Sequence, residues 1–259
     1  MEMRGLMGGL YRFTEWVMRL SVANLLWLIT SAPVFYLLVV MLFSPVEWTI
    51  EQIQFNYLLM AVLSPFTLIP STAAVFSMAR KWIMGDVDIP LFKSFFKGYK
   101  TNYRQSMLGG IFFLLLGSLI LVNYSFYAVM EGTLQYISIF FISFGMVMAV
   151  SFFNFLSLTV HFEMKLFQLI KNAFLLTLLQ PLTSIGLLFT NILIIILSMR
   201  VTFLIPFFVC SFIAIVSFWF FYQGFNRLEA KGKLRKQLEG EGGEEAEAGD
   251  HGAGDRVEP

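Results

Sequence analysis

Between Leu58 and Ala79 the chain reads LLMAVLSPFTLIPSTAAVFSMA, without one charged residue, and it then turns abruptly into Arg80-Lys81-Trp82. An apolar run of this length, at 1.5 Å per helical residue, crosses a hydrocarbon core of about 30 Å. In lipid the backbone satisfies its own hydrogen bonds only as a helix or a closed barrel. Runs this long and without strand alternation leave the helix. Pro65 and Pro70 interrupt this one, and each removes a backbone donor and frees a carbonyl of the preceding turn. Ser64, Thr67 and Ser71 are placed to bond such carbonyls, and their small side chains let another helix approach.

Similar runs recur, with hydrophobic residues at 58% and charged residues at 14% of the chain. That balance belongs to a polytopic membrane protein, all-α, with six spans near 22–43, 55–79, 107–130, 134–160, 182–199 and 201–222. The first run is as long as a full span and lacks a small-residue cleavage pattern, so a retained helix is expected rather than a signal peptide. Pro33 is expected to kink span one, and Pro206 lies in span six. Arg200 alone separates the last two spans, so a tight turn is expected there.

Amphipathic segments lie between the spans. Over residues 4–20, Leu6, Leu10, Phe13, Val17 and Leu20 share one helical face, with Arg4, Arg12, Glu15 and Arg19 opposite. From Pro90, the aromatic residues Phe92, Phe95, Phe96, Tyr99 and Tyr103 form one stripe and Lys93, Lys97, Lys100 and Arg104 another. A basic, aromatic amphipathic helix suits anionic lipid headgroups at the inner membrane surface, or a partner protein. Aromatic and basic residues together also occur in RNA-binding surfaces, but the flanking spans hold this segment against lipid, and no nucleic-acid partner is expected. Residues 161–180 read as a third surface helix. The plan thus looks threefold, a surface helix followed by a two-span hairpin, starting near residues 4, 88 and 162, without a residue-level repeat. Residues 228–259, basic and then acidic and glycine-rich, have little to bury and are expected to be disordered.

With six spans, 17 of the 18 Lys and Arg lie on the amino-terminal side and only Arg200 on the other. Both termini are therefore expected in the cytoplasm.

The chemistry that is missing narrows the function. No expected span carries Asp, Glu, Lys, Arg or His in its core, which disfavours proton relays and voltage sensing. His161-Phe162-Glu163 lacks the second histidine of a zinc-protease helix. Cys210 is the only cysteine. No catalytic residue, cofactor or metal site is expected, and the chain reads as a non-enzyme. The polar residues within spans are neutral: Asn24, Asn123, Asn154 and Asn191. They read as interhelical hydrogen-bonding groups or, more sharply, as a midplane site for a neutral polar ligand such as a sugar, near the kinked spans one and two.

Asn24-Leu25-Leu26-Trp27, then Pro70-Ser71-Thr72-Ala73-Ala74, then Arg80-Lys81-Trp82 with Gly85, resemble the YesL family of bacterial integral membrane proteins. Phe95-Phe96 and Lys171-Asn172-Ala173 add to the likeness, which covers roughly Gly5 to Arg227. Ser71 stands where the family often has alanine. The resemblance implies no catalytic residues. It implies a link to carbohydrate uptake, since members look like neighbours of saccharide import and polysaccharide breakdown genes.

The resulting expectation is a multi-pass protein of the bacterial plasma membrane, an accessory or interaction component that contacts anionic lipid and a carbohydrate transporter subunit. The alternatives are a permease or channel for a neutral solute, and a lipid-interacting sensor. The residues singled out are Asn24, Trp27, Pro65, Pro70, Ser71, Thr72, Arg80, Lys81, Trp82 and Gly85, with Lys93, Lys97, Lys100 and Arg104 as the contact surface.

Overall fold

A computed structural model describes the backbone of residues 6–45 and 47–250, with side chains from 8 to 230. The described residues are helical and contain no strand. The elements are α1 (Leu6–Thr30), α2 (Ala32–Phe43), α3 (Ile50–Leu63), α4 (Leu68–Ile83), α5 (Leu91–Ala128), a 3-10 turn (Gly132–Tyr136), α6 (Ile137–His161), α7 (Leu166–Leu179), α8 (Pro181–Arg200), α9 (Leu204–Phe207) and α10 (Val209–Asp250). Four helical stretches are long and apolar enough to cross a membrane, and up to six if each of two bent pairs counts as one span. The chain is thus a multi-pass helical membrane protein by length and composition.

The bent pairs are where the prolines fall. α1 and α2 meet at 82°, with the break at Ser31 and Pro33 in the first turn of α2. At 12 residues, α2 is about 18 Å long, too short to cross alone. The span expected over 22–43 is therefore not one straight crossing. α3 and α4 meet at 47° across residues 64–67, beside Pro65. α3 begins at a capping box, in which Thr49 Oγ1 accepts from the Gln52 amide and Gln52 Oε1 from the Thr49 amide.

Two expected surface helices are not separate elements. Residues 6–20 run on into α1, and the basic segment from Pro90 runs on into the third span as the 38-residue α5, about 57 Å long. Nothing between Leu91 and Ala128 breaks a helix, because its buried glycines Gly98, Gly109 and Gly110 serve close packing. The basic stripe is thus an extension of a span. The third surface helix, α7, does stand apart, ending at Gln180 before Pro181.

The last hairpin also differs in register. Residues 201–208 form the turn and α9, so Pro206 precedes the final apolar helix (Val209–Ala230) instead of kinking it. By contacts the chain divides into Met1–Phe220 and Phe221–Pro259. What is described of the second is the continuation of α10. The expected disordered tail lies mostly outside the described side chains, and residues 251–259 lie outside the described residues altogether.

α4 is the centre of the first unit. Ten of its 16 residues are buried, among them Ala73, Ala74, Val75, Phe76 and Met78. It packs on α1, α5 and α6, and its Ala and Ser side chains admit those helices at close range. Gly98 of α5 uses this: a Cβ there would stand 2.8 Å from Cβ and Oγ of Ser77. In contrast α8 leaves Leu182, Ile185, Phe189 and Leu193 exposed, as an outward face in lipid would be.

Candidate functional site

The end of α4 is a built junction. Gly85, at φ 102°, closes the helix: its amide donates to the Trp82 carbonyl at 3.3 Å and the Asp86 amide to the Lys81 carbonyl at 2.9 Å. This pair of bonds is the glycine-terminated helix stop that needs a left-handed residue. Its role is local and structural.

Arg80, Lys81 and Trp82 each tie α4 to a different helix. Arg80 Nη1 donates to the carbonyl of Val160 at 2.9 Å, satisfying an orphan carbonyl at the negative end of α6. Lys81 Nζ donates to Ser94 Oγ of α5 at 3.3 Å. Trp82, 5% exposed, meets Trp16 of α1 edge to face at 5.8 Å. The Arg19 guanidinium lies 5.7 Å from the Trp16 ring centre, pairs with Glu15 one turn earlier, and reaches Asp88 at 2.6 Å. Arg19 is 5% exposed, although its place on the polar face of the 4–20 segment pointed to solvent. The Trp16–Arg19 spacing of three was the one sequence signal for this cluster.

Between α4, α5 and the carboxyl end of α6 lies a cavity of about 290 Å³. Arg80, Lys81 and Lys97 bring positive charge to its wall, and Ser77, Ser94 and Thr101 bring hydroxyls. Asn102, Thr159, His161 and Glu163 complete the polar lining. Lys97 thus joins Arg80 and Lys81 in one chamber, although sequence periodicity grouped it with Lys93, Lys100 and Arg104. Those three are exposed on α5 and do not line the cavity. The aromatic stripe divides as well. Phe95 is fully buried and stacks towards Tyr99 at 6.5 Å, while Phe92 and Phe96 remain exposed. Nothing in the sequence beyond small polar residues two turns apart marked Ser94 or Thr101 as lining a chamber with Thr159.

The remaining residues singled out do structural work elsewhere. Asn24, fully buried, donates through Nδ2 to the carbonyls of Ile205 (3.1 Å) and Pro206 (2.7 Å). Its Oδ1 accepts from the Cys210 amide at 2.9 Å and the Ser211 amide at 3.4 Å. It therefore closes the carboxyl end of α9 and caps the amino end of α10 together, as a cap supplied by another helix. Trp27 Nε1 donates to Thr72 Oγ1 at 3.0 Å, linking α1 to α4. Ser71 is buried and bonds back to the Thr67 carbonyl.

Asn154, Asn191 and Asn123 also use their amide donors within the protein, while the buried Oδ1 atoms of Asn191 and Asn56 accept no hydrogen bond among the described residues. Asn154 Nδ2 and Ser151 Oγ both donate to Thr177 Oγ1, at 2.9 and 3.1 Å. Asn191 Nδ2 donates to Ser217 Oγ at 3.0 Å, and Asn123 Nδ2 to the Leu119 carbonyl at 2.7 Å. A second cavity, of about 320 Å³ between α6, α7 and α8, is walled chiefly by apolar groups such as Met146, Val150, Ile185 and Leu188.

Residues 20–124 match the family described as "Protein of unknown function, DUF624". The chain is similar to three proteins of Bacillus subtilis (strain 168). The uncharacterized protein YteU is 27% identical over 214 residues, 83% of this chain and 84% of that one. The uncharacterized protein YesL is 25% identical over 173 residues, 67% and 68% of the two chains. The uncharacterized protein YesV is 28% identical over 163 residues, 62% of this chain and 78% of that one. No solved structure matches. The resemblance to the YesL family therefore holds, and the matched region carries Asn24, Trp27, Pro70 to Gly85 and the basic part of α5, whereas Lys171-Asn172-Ala173 lies beyond it.

Proposed function

We propose that this chain is an accessory component of the bacterial plasma membrane that works beside a carbohydrate transporter, neither moving solute nor catalysing a reaction itself. The observation that carries this reading is the fate of the intramembrane amides. Asn24, Asn154 and Asn191 spend their donors on helix breaks and on hydroxyls of neighbouring helices. A solute pathway needs polar groups turned towards a chamber, and these serve to hold helices together. The association with carbohydrate rests on the family resemblance.

Both termini are cytoplasmic in this reading, from the placement of 17 of the 18 Lys and Arg on one side. The exposed Lys93, Lys100 and Arg104 of α5 then face the cytoplasmic side, where a transporter subunit or anionic headgroups meet them. Co-purification from native membranes tests the role: a saccharide transporter subunit is expected to accompany the protein. Uptake of labelled oligosaccharide by proteoliposomes holding this protein alone would overturn it in favour of a permease.

A further inference from the structure

Three cations line the chamber between α4, α5 and α6, and what faces them is the carboxyl end of α6, through the Val160 carbonyl, and Glu163. Among the described residues, no carboxylate stands within ion-pair distance of Arg80, Lys81 or Lys97. Glu163 is the one acidic residue on the wall. Arg80 uses Nη1 on the Val160 carbonyl, and its Nε is buried with no hydrogen-bond partner. Lys81 makes a single bond, at 3.3 Å, to Ser94. Arg80 and Lys81 are half-buried and Lys97 is exposed, and the repulsion of like charges gathered on one wall is relieved when an anion enters.

Shape and lining narrow the anion. A volume of about 290 Å³ stands at the small end of the roughly 300–1,000 Å³ common for ligand sites. An arginine fork with two lysine ammonium groups suits the several oxygens of a tetrahedral oxyanion. Hydroxyls of Ser77, Ser94 and Thr101 offer partners that a bare anion would leave unused. Gly98 makes the arrangement possible, because a side chain there would push α5 off Ser77 and separate Lys97 from Lys81.

We propose that this chamber binds a phosphoryl group carried by a small hydroxylated moiety, either a soluble sugar or polyol phosphate or the glycerophosphate headgroup of an anionic lipid. The site stands whether or not a transporter subunit associates with the protein.

The test uses the full-length protein in phosphatidylcholine nanodiscs, titrated calorimetrically with glucose 6-phosphate and, as control, glucose. In a second arm, native mass spectrometry counts phosphatidylglycerol retained through detergent purification. Saturable glucose 6-phosphate binding identifies the soluble source. Retained phosphatidylglycerol without a response to glucose 6-phosphate identifies the headgroup. In whichever arm responds, Lys97→Gln weakens binding about tenfold, equivalent to about 1.4 kcal/mol, while Lys93→Gln, on the same helix but outside the chamber, leaves it unchanged. Lys97 is exposed, so its replacement spares the fold, whereas removing Arg80 would uncap α6. No saturable binding in either arm, equal binding of glucose, an unchanged Lys97→Gln variant, or equal loss in Lys93→Gln each overturns the proposal.

Discussion

The hydroxyl of Tyr103 on α5 donates to the carbonyl of Phe66, 3.2 Å away, and that carbonyl is the one Pro70 leaves without a helical donor. The pattern recurs. Pro65 frees the Ala61 carbonyl, which Ser64 Oγ takes at 3.0 Å, and Pro181 frees the Thr177 carbonyl, which Ser184 Oγ takes at 2.9 Å. At these three prolines the break in the helical ladder is answered by a hydroxyl, which meets the need of a backbone in lipid. Tyr103 reaches from α5 and Ser184 from α8, so at these two breaks the repair also joins one helix to another.

Tyr103→Phe is accordingly expected to cost about 1 kcal/mol, the worth of one hydrogen bond to a group otherwise unpaired. In a Pro70→Ala background the cost should largely vanish, because the restored amide takes the Phe66 carbonyl itself. A double-mutant cycle on reversible unfolding in detergent measures this coupling. Additive effects of the two changes would show that Tyr103 does not serve the proline break.

Asn24→Leu should be more damaging, by about 2 kcal/mol or more, since it orphans carbonyls at the end of α9 and amides at the start of α10 together. Asn24→Asp keeps the acceptor and loses the donors, and it adds charge beside two carbonyls, so it should be no milder. Thermal unfolding ranks the three proteins. A near-native Asn24→Leu variant would contradict the assignment of this residue as a cap shared by two helices.

Much of this was legible in the sequence, and what was not has a common cause. The apolar runs and the proline breaks follow from local chemistry. Span continuity did not. A change from amphipathic to apolar pattern at Gln105 looks like a boundary between helices, yet α5 passes through it unbroken, because a change of environment needs no change of backbone. Lys97 likewise shares a stripe with Lys93 and Lys100, and only the proximity of α4, granted by Gly98, turns it towards Arg80 and Lys81. The clamp formed by Asn24 joins residues more than 180 apart in sequence, which no local pattern encodes.

Two glycines of α5 should respond oppositely to the same change. A Cβ on Gly109 would overlap the ring of Phe155, itself fully buried and unable to move aside. Gly109→Ala is therefore expected to destabilise by about 1–3 kcal/mol, the range for overpacking. A Cβ on Gly117 meets Met148 Cε at 3.3 Å, the end of a flexible side chain that shifts readily. Gly117→Ala should be neutral or stabilising by up to about 1 kcal/mol through helix propensity. Unfolding of the two variants side by side checks the pair, and equal losses would count against the close packing of α5 on α6.

The threading of the chain is tested by reporters fused at three loops. α5 and α6 form an apolar hairpin of full length, so positions after Gly85 and Glu131 should report opposite sides, cytoplasmic and external respectively. The position after Trp48 decides how the bent pairs behave. If α1 with α2 and α3 with α4 each cross once, Trp48 reports with Glu131, and the membrane is crossed six times. If the 82° bend turns α2 back, the chain re-enters on the side it left and Trp48 reports with Gly85. Residues 44–54 carry Glu47 and Glu51 and no Lys or Arg, so nothing in them opposes translocation, and an external signal is expected. Placing two lysines after Trp48 should then weaken that signal, because short-loop basic residues resist crossing. A cytoplasmic signal at Trp48 would reduce the count to four, and one external at Gly85 would reverse the orientation.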